Sequence, residues 1–149
     1  PVVISGVAFD YVWPPALLPD TGKCVSHDEL NDASLVFKMT FGRMSFLVTG
    51  DISRRTEEAL IKSGRNLRAD LLFVPHHGSV HSSSEAFIEA VSPRYALVSS
   101  GRNNIFGHPH REILKRYLSS GIEVMRTDSQ GAIIIRSSGD DLRVVSTRQ

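Results

Sequence analysis

Three short stretches hold the side chains whose types and spacing could do chemistry. Thr49-Gly50-Asp51 ends an apolar run on a carboxylate. Val74-Pro75-His76-His77-Gly78-Ser79 ends another on two adjacent imidazoles, and Asn103, Gly107, His108 and His110 form a third cluster. A carboxylate and imidazoles converging from neighbouring strand ends make a metal-site pattern, because neutral imidazole is the commonest metal ligand. Successive side chains on extended backbone point to opposite faces. One of His76 and His77 is therefore expected to ligate, while the other binds phosphate or holds the loop. His108 precedes an expected helix start, where backbone amides suit an anion such as phosphate. Each residue also has a plainer account. Asp51 could be a helix N-terminal carboxylate, favoured by about 0.3–1 kcal/mol from the dipole. His108 could be a turn residue, His110 a solvent-facing helix residue, and His27 and His81 exposed loop residues.

Strands must deliver these groups. Residues 69–74 are apolar in five positions of six and read as a strand buried on both faces, stopped by Pro75. Residues 34–41 and 44–50 read as a hairpin joined by Gly42-Arg43, a pair that suits a type II′ turn. In that pairing Asn31-Asp32 lies near Asp51 and is read as support for it. Ser53 is expected to cap a helix to about residue 63, with Gly64 as its stop. Ala59, Leu60 and Ile61 form its apolar stripe, while Arg54, Arg55, Glu57 and Glu58 face solvent. Ser82-Ser83-Ser84-Glu85 offers caps for a helix carrying Phe87, Ile88 and Val91, with Ser82 and Glu85 at capping-box spacing, and Pro93 ends it. A strand is expected over 95–99, and a helix from Pro109 to Ser120 with Ile113, Leu114, Tyr117 and Leu118 on one face. Strands over 2–9, 122–125, 132–135 and 142–145 complete the reading, with residues 22–32 left irregular. A hairpin followed by alternating helices and strands predicts a mixed sheet with helices packed on it.

The totals exclude several classes. At 149 residues the chain is expected to be a single domain, and 41% hydrophobic with 22% charged residues is ordinary for a globular protein. No apolar window approaches ~18 residues, so no spanning helix is expected. A formal charge of +1 gives no whole-molecule pull on nucleic acid. The scattered Arg and Lys residues read as solvated helix faces. Cys24 is alone, so there is no internal disulfide or cysteine-based zinc cluster. No Gly-x-Ser-x-Gly elbow, phosphate loop or dinucleotide fingerprint occurs. The chain opens on Pro1 rather than Met and is read as a piece of something longer.

Asn31-Asp32-Ala33-Ser34-Leu35-Val36, Thr49-Gly50-Asp51, Val74-Pro75-His76-His77-Gly78-Ser79, Ser82-Ser83-Ser84, Asn103 with Phe106-Gly107-His108-Pro109, and Thr127-Asp128 with Gly131 occur in that order. Together they resemble the metallo-β-lactamase-like domain of ComEC-type competence proteins, bacterial inner-membrane channels for transforming DNA. The resemblance covers residues from about 2 to 136. It implies an α/β fold, a metallo-β-lactamase-like αββα sandwich, of which this chain is mainly the C-terminal half. It also implies a site for two divalent metals, zinc or manganese, on a soluble domain at the periplasmic or extracellular side. Asp51 matches the carboxylate that bridges the metals and His77 the late histidine ligand. His76, Ser79, Asn103 and His108 are then expected to contact substrate. The implied activity is phosphodiester hydrolysis of DNA during uptake. The alternative is a non-catalytic DNA-binding or structural half-domain; the fold also hosts lactonases and phosphorylcholine esterases. Implied partners are DNA, the rest of the channel and a second copy through an exposed sheet face. The family's His-x-His-x-Asp-His motif is absent, so a half-site that holds metal weakly, or none, is expected.

Overall fold

The computed structural model describes residues 1–15 and 26–148. The expected loop over 19–22 and Cys24 lie outside the described residues. Seven strands form one sheet in chain order: β1 (Val2–Ile4), β2 (Val7–Trp13), β3 (Val36–Phe41), β4 (Met44–Val48), β5 (Leu71–Phe73), β6 (Tyr95–Val98) and β7 (Glu123–Arg126). β1 to β4 are antiparallel, and β4 to β7 run parallel. The expected mixed sheet is thus present, and β4 and β5 are neighbours. The fold is α/β and consistent with a metallo-β-lactamase-like architecture.

Period-two alternation gives the parallel strands two apolar faces. Leu47, Leu72, Val74, Ala96 and Val98 face the helices α2 (Arg54–Lys62), α3 (Glu85–Val91) and α4 (Arg111–Ser119). Leu60, Phe87, Ile88, Val91, Ile113 and Tyr117 come from those helices into the same core. On the other face Phe46, Leu71, Phe73, Tyr95 and Leu97 pack against a second hairpin, β8 (Ile133–Ser137) and β9 (Leu142–Ser146). The face expected to be bare is therefore partly covered. Gly42 enables this, since a Cβ there would lie 2.4 Å from the Gly139 carbonyl oxygen. Exposed apolar surface remains on β1, where Val2, Val3 and Ile4 are 60–65% exposed.

Several local expectations change. The strand over 2–9 is broken at Ser5-Gly6, both at positive φ, into the β1–β2 hairpin. The irregular segment before residue 32 holds α1 (His27–Asp32), closed by a capping box between Ser26 and Glu29. His27 thus opens a helix. α3 is capped by Ser84, which accepts from the Phe87 amide, rather than by Ser82. α4 begins at Arg111 with His110 as N-cap, so Pro109 precedes the helix. A short helix, α5 (Thr127–Gln130), stands in the unassigned gap before β8. Among the described residues no helix is long and apolar enough to cross a membrane.

Candidate functional site

Four loops leave the carboxyl ends of the parallel strands β4 to β7 at one edge of the sheet, where ligands gather in open α/β sheets. The β4 loop carries Asp51. Gly50 permits the turn, with φ +57 and a Cβ position only 2.8 Å from Ser34 Cβ. Ser34 Oγ accepts from the Asp51 amide at 3.1 Å. Below it, Asp32 accepts from the Ser53 hydroxyl and from Thr56 Oγ1, the latter at 2.9 Å. Asp32 thus holds the start of α2 just after Asp51 and makes no hydrogen bond to Asp51 itself among the described residues.

The β5 loop is a tight 3₁₀ segment over Pro75–Gly78 in which His76 and His77 are both left-handed, at φ 49° and 54°. The premise of extended backbone therefore fails here. The His76 amide donates to the Gly50 carbonyl at 3.0 Å, tying this loop to the β4 loop. His77 Nδ1 lies 2.6 Å from the Ser99 carbonyl oxygen. A carbonyl only accepts, so in the neutral ring Nδ1 carries the proton and Nε2 keeps its lone pair. Nε2 stands 3.6 Å from Asp51 Oδ1, with both side chains about half exposed. The neighbouring ends of β4 and β5 thus bring Asp51 and His77 together.

His76 turns the other way. Its ring meets His108 at 5.7 Å between centroids, and its buried Nδ1 has no hydrogen-bond partner among the described residues. His108 in turn meets His110 at 5.1 Å. Burial, then the imidazoles of His110, His76 and His77, hold the His108 pKa below the ordinary histidine value, while the Asp51 carboxylate opposes them. Ser79 is buried; its Oγ accepts from the His81 amide and its carbonyl accepts from Ser82, so its polar groups serve the loop itself. Asn103 is exposed and left-handed. The amide that organises its loop is Asn104, which donates to the Gly101 and His108 carbonyls and accepts from the His108 amide.

A buried frame lies behind the histidine loop. Glu57, expected to face solvent, is fully buried and accepts from the Ser83 and Ser84 amides. Burial pushes its pKa up, and the hydrogen bonds from Ser84 and Ser83 oppose this. Tyr117 donates to Ser83 Oγ at 3.0 Å, and Ser82 Oγ reaches the Pro75 carbonyl at 2.9 Å. The spacing of Glu57 on an otherwise charged helix turn gave no sign of this role. Thr127, from the β7 loop, accepts from the Ser100 amide at 2.9 Å, and Asp128 pairs with Arg126.

No protein-family model matches the chain. It is 41% identical over 106 residues to ComE operon protein 3 of Bacillus subtilis (strain 168), covering 71% of this chain and 14% of that protein. It is 39% identical over 132 residues to Competence protein ComA of Neisseria gonorrhoeae, covering 87% and 18%. The chain fits a ComEC-like C-terminal domain. A third relative, Uncharacterized protein YcaI of Escherichia coli (strain K12), is 35% identical over 125 residues, covering 83% and 17%. This ComEC-like domain thus spans less than a fifth of the length of the curated relatives it matches.

One carboxylate oxygen faces one imidazole nitrogen whose partner nitrogen is fixed by a carbonyl, the usual arrangement behind a metal-ligating histidine. Asp51 and His77 therefore fit as two ligands. Among the described residues no group of three or more His, Cys, Asp or Glu side chains is placed to hold a metal ion.

Proposed function

We propose that this ComEC-like domain contributes metal-dependent hydrolysis of DNA phosphodiesters during natural transformation, as part of a longer protein. Competence protein ComA carries the process in its name, which supports a role in DNA uptake. The observation that carries the hydrolytic reading is the Asp51–His77 pair, open to solvent and held from behind by Ser34 and Ser99. Asp51 and His77 would hold the metal. When bound, divalent cations supply Lewis acidity toward a phosphoryl oxygen and lower the pKa of water. The chain's own residues do the rest. The Ser99 carbonyl keeps the His77 proton on Nδ1, and the Gly50–His76 hydrogen bond keeps the two loops in register. In this reading a ring N–H of His76 and of His108 would donate to a phosphoryl oxygen, and Asn103, exposed on the loop before His108, would contact the same substrate. Further ligands come from the longer protein, whose remainder is the expected partner, with this domain on the periplasmic or extracellular side. The exposed β1 face is the place for a second copy or for that remainder.

The absence of a third ligand among the described residues favours a second reading, a DNA-binding domain without catalysis. Elemental analysis after manganese or zinc loading separates the two when run beside Asp51→Ala and His77→Ala. Bound metal lost in both variants, together with DNA cleavage lost in Asp51→Ala, is the expected result. Cleavage retained in Asp51→Ala refutes the mechanism, and metal-independent DNA binding without cleavage decides for the second reading.

A further inference from the structure

Phe106 is 69% exposed, whereas the other six phenylalanines are buried or half-buried. Its neighbour Ile105 is 92% exposed. Both sit at the tip of the loop between β6 and α4, which also carries Arg102. The tip is fastened: Asn104 makes three hydrogen bonds across it, to Gly101 and to both backbone groups of His108. The Phe106 ring lies close to parallel with the His108 imidazole, 5.8 Å between centroids at 25°. His108 in turn meets the His76 ring, 5.7 Å between centroids. The benzene ring is thus flanked by the imidazole cluster and still mostly open to solvent.

We propose that Phe106 is a stacking platform for an unpaired nucleobase, next to the phosphate that the histidine cluster would contact. The identity of the polymer rests on the reading above; the platform rests on the ring. An open π-face held on a braced loop stacks a base without having to be ordered first, and stacking tolerates any base. The bases of a duplex are already stacked on one another and offer no free face, so the preferred ligand is single-stranded. The Arg102 guanidinium on the same loop supplies a positive charge for the backbone.

The test is anisotropy with a labelled single-stranded oligonucleotide in EDTA, beside the same strand made abasic and the same sequence as a duplex. Phe106→Ala, a change at an exposed position, is expected to weaken single-strand binding by about 5- to 150-fold. Binding to the abasic strand and the duplex should stay unchanged. Phe106→Trp should keep the affinity, and its indole fluorescence should be quenched by the normal strand and not by the abasic one. Ile105→Ala should bind like the parent. Equal binding by Phe106→Ala and the parent, or equal loss on normal and abasic strands, overturns the inference and leaves the DNA reading standing. A parent chain that binds none of the three ligands overturns both.

Discussion

Replacing Glu57 with alanine asks whether a buried carboxylate braces the wall behind the histidine loop. The side chain is fully buried and takes the amides of Ser83 and Ser84 on its two oxygens. Truncation leaves both donors without a partner, at about 1–3 kcal/mol each. Water entering the space recovers part of that, so the expected loss is about 1–4 kcal/mol, or on the order of 10 °C in Tm at the upper end for a domain of this size. Glu58→Ala is the control. Its exposed pair with Lys62, 3.7 Å apart, should contribute below about 0.5 kcal/mol. Urea unfolding followed by Trp13 fluorescence measures both. The pH dependence has a definite sign. Burial raises the folded pKa of Glu57 above the ordinary glutamate value of 4.5, so its contribution is complete below that value and is lost as pH rises through the folded value. Glu57→Gln removes this slope but still lacks the second acceptor oxygen, so its deficit against the parent should be greatest near pH 4.5 and shrink as pH rises. A loss below about 1 kcal/mol in Glu57→Ala, or a deficit that grows with pH in Glu57→Gln, refutes the reasoning.

Gly50→Ala should cost about 2–4 kcal/mol, combining a left-handed residue with a Cβ 2.8 Å from Ser34. It should also weaken metal uptake, because Ser34 holds the Asp51 amide; stability within about 0.5 kcal/mol of the parent would show that the turn relaxes freely. Tyr117 is fully buried, and burial raises its phenol pKa. Alkaline absorbance titration should therefore show a late phenol step that Tyr117→Phe removes. An identical titration curve in Tyr117→Phe apart from a uniform loss of amplitude would contradict it.

Strand periodicity and short turns were legible because they are local. Gly42-Arg43 closed the hairpin as read, Ser53 and Gly64 bounded α2, and parallel β4 and β5 delivered Asp51 and His77 to one edge. The misses arise where an isolated residue matters through a distant partner. Glu57 looks like any charged helix residue until the Ser83 and Ser84 amides arrive from 26 and 27 residues away. Two misses did have a signal in the chain. Ser5-Gly6 is a turn dipeptide inside an apolar run, and Ser26 with Glu29 is a capping box; both were outweighed by their surroundings.

The histidine pair shows why composition can name a site and still misplace its geometry. Alternation between faces holds only for extended backbone, whereas His76, His77 and Gly78 are all at positive φ. Such backbone costs roughly 1–2 kcal/mol per non-glycine residue and persists only where surrounding contacts over-determine it. Those contacts are present: the Gly50 carbonyl takes the His76 amide, the His76 carbonyl takes the Ser79 amide, and Ser82 holds the Pro75 carbonyl. Pro109 closes the cage, since a Cβ on Gly78 would lie 2.6 Å from its own. The two imidazoles still diverge, His77 toward Asp51 and His76 toward His108. A division of labour expected from a strand is thus supplied by a left-handed turn. It depends on Gly50, Ser82 and Pro109, of which Ser82 has its hydroxyl engaged by the Pro75 and Ser79 carbonyls.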